Sequence, residues 1–117
     1  MSESTSQVGA RAELIAATDL MSKGWYCFRN LAPVGAADLI ILRRANVVLR
    51  VQVKRGDGRD WKSALRQCDV LAVVDELGRV RYMTTQPRVC RMLSPCQVVR
   101  PRRKRRTGKK IKSSPSN

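Results

Sequence analysis

Apolar positions along this chain recur with two periods. From Val47 to Lys54 they alternate, with Val47, Leu49, Val51 and Val53 on one face and Arg50, Gln52 and Lys54 on the other. That is the two-residue period of a strand covered on one side. The apolar run Leu39-Ile40-Ile41-Leu42, opened by Asp38, predicts the neighbouring strand, joined to the first by a turn near Ala45-Asn46. Trp25-Tyr26-Cys27-Phe28-Arg29 is rich in strand formers and predicts a third. Val70 to Val74 is apolar at every position, the pattern of a central strand covered on both faces. Leu77-Gly78 then turns the chain into a hairpin partner at Val80-Arg81-Tyr82-Met83.

Two segments follow the helical period instead. The first runs from Val8 to Lys23 and is ended by Gly24 as a C-cap. Its apolar stripe is Ala10, Leu14, Ala17 and Met21, with Arg11, Asp19 and Lys23 outside it. Glu13 falls at the edge of that stripe, about 60° from its centre. The second helix is short: Asp60 reads as its N-cap, and Trp61, Ala64, Leu65 and Cys68 recur at i, i+3, i+4 and i+7. Pro33 and Gly35 mark 30–37 as a loop, and Pro87 and Pro95 restrict regular structure over 87–99. The predicted order is α-β-β-β-α-β-β, a mixed sheet with a helix near each end.

Charge sharpens this picture. The 117 residues carry a formal charge of +15, and nine of the twenty-four basic residues lie in the last eighteen. The expected organisation is a flexible N-terminus (1–7), one folded domain (8–99) and a disordered basic tail (100–117). The domain is basic as well as the tail, so a polyanion is the natural partner. No apolar run is long enough to cross a bilayer, and Met1-Ser2-Glu3-Ser4-Thr5 has no signal-peptide character. The expectation is a soluble intracellular protein, cytoplasmic or nucleoid-associated. Cys27, Cys68, Cys90 and Cys96 show no C-x-x-C spacing, and Cys27 and Cys68 read as small core residues. The chain has no histidine, which removes the commonest general base and the Ser-His and Cys-His nucleophiles. Catalysis would have to run on carboxylates, lysine and a metal ion.

The residues for such chemistry are present in order. Asp38 at a strand start, followed on the next strand by Gln52-Val53-Lys54, is the skeleton of a magnesium-dependent phosphodiesterase site. Together with Gly9-Ala10-Arg11-Ala12-Glu13 on the first helix, these blocks resemble the three signature blocks of the PD-(D/E)XK nuclease superfamily. The similar branches are the small Q-x-K endonucleases, including group I intron homing endonucleases, and the Holliday-junction resolvases. The resemblance spans about Val8 to Met83. It implies an α/β, restriction-endonuclease-like fold: an αβββαβ core with a mixed central sheet flanked by helices. Two departures stand out: Ala37 precedes Asp38 where proline is common, and Gln52 replaces the usual acid. A neutral amide oxygen can ligate magnesium while supplying one negative charge less.

Carried over by position, the resemblance implies that Asp38, the Gln52 side-chain oxygen and the Val53 carbonyl ligate Mg2+, with Mn2+ as a substitute. Glu13 would hold a water of the ion's shell or a second ion. Lys54 would orient the attacking water and stabilise charge on the phosphorane. Arg43, Arg44, Arg55, Arg59, Lys62 and Arg66 flank these residues as phosphate contacts, and Arg102, Arg103, Lys104, Arg105 and Arg106 form a non-specific DNA-binding arm. Trp61 reads as a core anchor. The expected activity is endonucleolytic hydrolysis of DNA, structure-selective like a junction resolvase or site-directed like a homing endonuclease. Cutting both strands requires two sites, which implies a homodimer or larger symmetric assembly. The rival readings are a non-catalytic DNA-binding protein on the same fold and a basic RNA-associated protein. With one Phe, two Tyr and two Trp, an aromatic stacking platform for RNA is not expected.

Overall fold

In the computed structural model, the chain is described over residues 5–30, 37–44 and 46–100. The elements are α1 (Thr5–Ser22), β1 (Tyr26–Arg29), β2 (Leu39–Arg43), β3 (Val47–Arg55), α2 (Trp61–Ala64), β4 (Val70–Val74), β5 (Val80–Thr84), α3 (Pro87–Cys90) and β6 (Cys96–Val98). The six strands form one sheet in sequential order. β1–β2, β2–β3 and β4–β5 pair antiparallel, whereas β3–β4 and β5–β6 are parallel. The expected mixed α/β sheet flanked by helices is the observed fold, in the expected order. Within 87–99, where the pattern predicted nothing, α3 and the short edge strand β6 are added. α1 starts at Thr5, three residues before the expected Val8. Residues 1–4, most of the predicted loop at 30–37, Ala45 and the tail at 101–117 lie outside the described residues.

α1 ends as the sequence requires. Gly24 adopts φ +91, the Gly24 amide donates to Met21 O and the Trp25 amide to Leu20 O, at 3.0 and 3.1 Å. This pair of bonds closes the last turn, and the flanking Leu20 and Trp25 are both buried. The apolar stripe, however, is not the predicted one. Ala12, Ala16 and Leu20 face the sheet, while Leu14 and Met21 are each 55% exposed. Small alanines let the helix backbone lie close to the strands, so the larger side chains are left outside. The rotation also turns Asp19 inward: it accepts hydrogen bonds from the Tyr82 hydroxyl and from Lys23 Nζ. Glu13 keeps its flanking place, because three residues before Ala16 is again about 60° from the stripe centre.

The sheet separates two clusters. α1 packs on Leu39, Ile41, Leu49, Val51, Val53, Val70, Ala72 and Tyr82. On the opposite face Ala64, Trp61 and Leu65, from α2 and the turn after it, cover Leu71, Val73 and Met83. Cys68 is buried and Cys27 packs partly buried against the first cluster, as their apolar settings suggested. Asp60 does not act as the predicted cap, since its side chain makes no capping hydrogen bond. The start of α2 is set instead by Gly58, which is buried at φ +79 over the second cluster.

A Cβ at Gly58 would lie 2.9 Å from Met83 Sδ and 3.1 Å from Val73 Cγ2, in a backbone region that L side chains rarely adopt. Gly58→Ala is therefore expected to destabilise the protein by about 2 kcal/mol, read from urea unfolding. The same change at Gly9, where a Cβ meets nothing within 4 Å, should be neutral or stabilising.

Candidate active site

The strand pattern places the candidate residues at one end of the sheet. β3 alternates as predicted: Leu49, Val51 and Val53 are buried against the α1 side, and Arg50, Gln52 and Lys54 point to the other face. The β2–β3 pairing runs from Arg43↔Val47 to Leu39↔Val51 and there its regular register stops. Asp38 replaces the missing ladder. Its amide donates to Val51 O at 2.9 Å, and its Oδ2 accepts the Val53 amide at 2.8 Å. The carboxylate is thereby held between the two strands, at the backbone of the Gln52-Val53-Lys54 block. Since the amide and carbonyl of one strand residue leave on the same side, the Val53 carbonyl faces the same gap.

Glu13 reaches this end of the sheet from the α1 side. Its side chain is 26% exposed and lies 3.7 Å from Arg29 Nη2. Its carboxyl is raised above the ordinary value, first by desolvation and then by the charge of Asp38, with Arg29 pulling the other way. Glu13 and Asp38 thus feel one another as like charges in a partly dry setting. Arg29 is a member of this group that the sequence reading missed. The alternation of β1 could have found it, because Arg29 pairs with Leu39 and so sits beside the start of β2.

The donors present are oxygens: two carboxylates, the Gln52 amide and the Val53 carbonyl. Among the described residues no three His, Cys, Asp or Glu side chains come together as a metal cluster. A cation here would rest on Asp38 and Glu13 for negative charge and on neutral oxygens for the remainder. That donor set suits magnesium, which prefers hard oxygen ligands and retains several waters.

The basic residues divide. Arg43 belongs to the α1 side of β2: its guanidinium lies 4.4 Å from the Trp25 ring centroid and donates to Lys23 O at 2.9 Å. It closes the end of α1, on the face of the sheet opposite Gln52 and Lys54. Arg55 also turns to the α1 side, where it lines a cavity with Arg11 and Asp75. Arg44 and Arg66 are exposed. Arg59 pairs with Asp57 at 3.1 Å, and Lys62 Nζ stands 5.8 Å from the Trp61 ring centroid. Trp61 is partly buried against the second cluster, as a core anchor should be. The arm Arg102, Arg103, Lys104, Arg105 and Arg106 lies outside the described residues.

A carboxyl whose folded pKa exceeds its unfolded value penalises folding once ionised. For Glu13 that penalty is absent below its ordinary value of 4.5 and becomes complete above the raised one. Glu13→Gln should therefore raise Tm by about 1–3 °C at pH 7 in metal-free buffer, and leave it unchanged near pH 3. A lower Tm at pH 7 would show that the Arg29 ion pair outweighs the repulsion.

No protein-family model matches the sequence, and no curated protein does. Among solved structures, the fold is similar to that of a bacterial homing endonuclease, I-Ssp6803I, with a TM-score of 0.58 and 21% identity. The match covers 71% of this chain and 67% of that one. At such identity the likeness is one of fold: a mixed sheet flanked by helices of the kind an endonuclease uses.

Proposed function

We propose that this chain is a magnesium-dependent DNA endonuclease of the PD-(D/E)XK type, hydrolysing phosphodiester bonds at the Asp38 end of the sheet. The observation that carries the reading is the Asp38 carboxylate, held between β2 and β3 by the amide of Val53, the residue between Gln52 and Lys54. The fold likeness to a homing endonuclease supports it from a separate direction.

The roles follow from the positions. Asp38, with Oδ2 fixed by the Val53 amide and Oδ1 outside that bond, is the principal ligand. The Gln52 amide oxygen and the Val53 carbonyl complete the protein's share of the shell, and Glu13 holds water at its edge. When bound, magnesium supplies positive charge at the phosphoryl oxygens and acidifies water. Lys54 orients the attacking water and stabilises the negative charge that grows on the phosphate in the transition state. The exposed Arg44, Arg59, Lys62 and Arg66 contact neighbouring phosphates, which positions DNA without reading its sequence. One site per chain makes a homodimer the simplest assembly for cutting both strands. Gln52 in place of an acid favours one rival, a DNA-binding protein on this fold that has lost catalysis.

An end-labelled duplex and a four-way junction incubated in Mg2+ or in EDTA separate these readings. Cutting should require Mg2+ or Mn2+, fall about 1,000-fold or more in Asp38→Ala, and fall about 100-fold in Lys54→Ala. Gln52→Glu should retain cutting. Cleavage that persists in EDTA or in Asp38→Ala would defeat the proposal. Tight binding with no cutting on either substrate would support the binding-protein reading.

A further inference from the structure

α2 covers the second face of the sheet only over β4 and β5. Among the described residues no helix lies over the β1–β3 part of that face, which is apolar on β1 and β2 and carries Val48 and then Arg50, the latter paired with Asp69, on β3. Register places Tyr26 beside Leu42 and Leu42 beside Val48, with Phe28 beside Ile40 in the next row. Tyr26 is 65% exposed, and Phe28 and Val48 are 55% exposed each. Gln52 and Lys54 belong to this same face, two and four residues beyond Arg50 on β3, and Asp38 lies between β2 and β3 just before Leu39. The patch therefore ends at Ile40, two residues along the chain from Asp38.

We infer that Tyr26 and Phe28 form a stacking step for unpaired bases next to the scissile phosphate, so that the preferred substrate is DNA with unstacked nucleotides. This rests on the endonuclease reading above. Two rings on one face of a strand stand about 6.8 Å apart, twice the 3.4 Å step of a nucleic-acid strand. One flat base fits between them, and bases inside a continuous duplex are not free to enter. Charge favours the same occupant. The chain carries a formal +15, and Lys54 lies on the same face as the patch, so a polyanion is attracted where a second copy is repelled. Area argues likewise: the exposed apolar surface of Tyr26, Phe28 and Val48 is roughly 300–400 Å² by side-chain size. A standard interface needs about 800 Å² per partner. A second copy stacked here would also cover Asp38 and Lys54.

The test is equilibrium binding of the full chain in EDTA, where cleavage cannot interfere. One probe is a fully paired duplex; the other is the same duplex with a short bulge carrying a fluorescent purine analogue. Wild type should prefer the bulged probe and quench the analogue on binding. Phe28→Ala and Tyr26→Ala should each weaken bulge binding about ten-fold and abolish the quenching. Paired-duplex affinity, set by phosphate contacts, should move by less than about three-fold. Phe28→Trp should retain the preference and Phe28→Leu should not. Both positions are exposed on an edge strand, so the two alanine variants check one another for folding. Equal losses on both probes, or no preference in wild type, would overturn the inference. So would a wild-type dimer in sedimentation that Phe28→Ala converts to monomer, which would assign the face to a second copy. The outcome is independent of Asp38→Ala cleavage: continued cutting in that variant removes Asp38 from the cleavage site and leaves the binding and quenching result standing.

Discussion

Every residue of β4, from Val70 to Val74, is at most 1% exposed, and a strand buried on both faces needs a layer on each. The two layers are unequal. α1, at eighteen residues, is about 27 Å long and covers one face from β1 to β5. α2 has four residues and extends over β4 and β5 only. Among the described residues no helix lies over the other half of its face, and Gln52 and Lys54 lie on that half with Asp38 at its border. Accessibility of the candidate site thus follows from how β4 is covered.

The site itself is built from an interruption. A regular ladder would continue past Leu39↔Val51 with backbone carbonyls; Asp38 substitutes a carboxylate oxygen for one of them. The bond satisfies the Val53 amide, which would otherwise be a stranded donor at the end of β3. It also fixes a negative charge between two strands, close enough to Glu13 to raise its carboxyl. Two like charges brought together in this way are held at a cost, and a cation between them would remove it.

Strand chemistry was legible in the sequence because each strand here reports its own burial. The alternation of β3 and the unbroken apolar run of β4 translate directly into one covered face and two. Asp38, Gln52 and Lys54 could be placed from that alone. α1 was misread for a physical reason: hydrophobicity favours Leu14 and Met21, but close packing on a sheet favours Ala12 and Ala16. For Arg43 the sequence shows only its charge; the Trp25 ring beneath it and its bond to Lys23 O come from the fold. α3 and β6, at four and three residues, are too short to show a period between Pro87 and Pro95. The scarcity of aromatics argued against a stacking platform, yet the single Phe and one of two Tyr share an open face. Counting residue types cannot reveal such a placement.

The central claim is that a divalent cation is held between Asp38, Gln52 and Val53. Titration of Mn2+ into isotopically labelled protein, followed by amide NMR, tests it without substrate. The account predicts that paramagnetic broadening first removes the amide signals of Asp38, Val53 and Lys54, and that Asp38→Ala abolishes this while leaving the spectrum otherwise intact. Broadening that begins at Asp57 or Asp75, or that survives in Asp38→Ala, would contradict it.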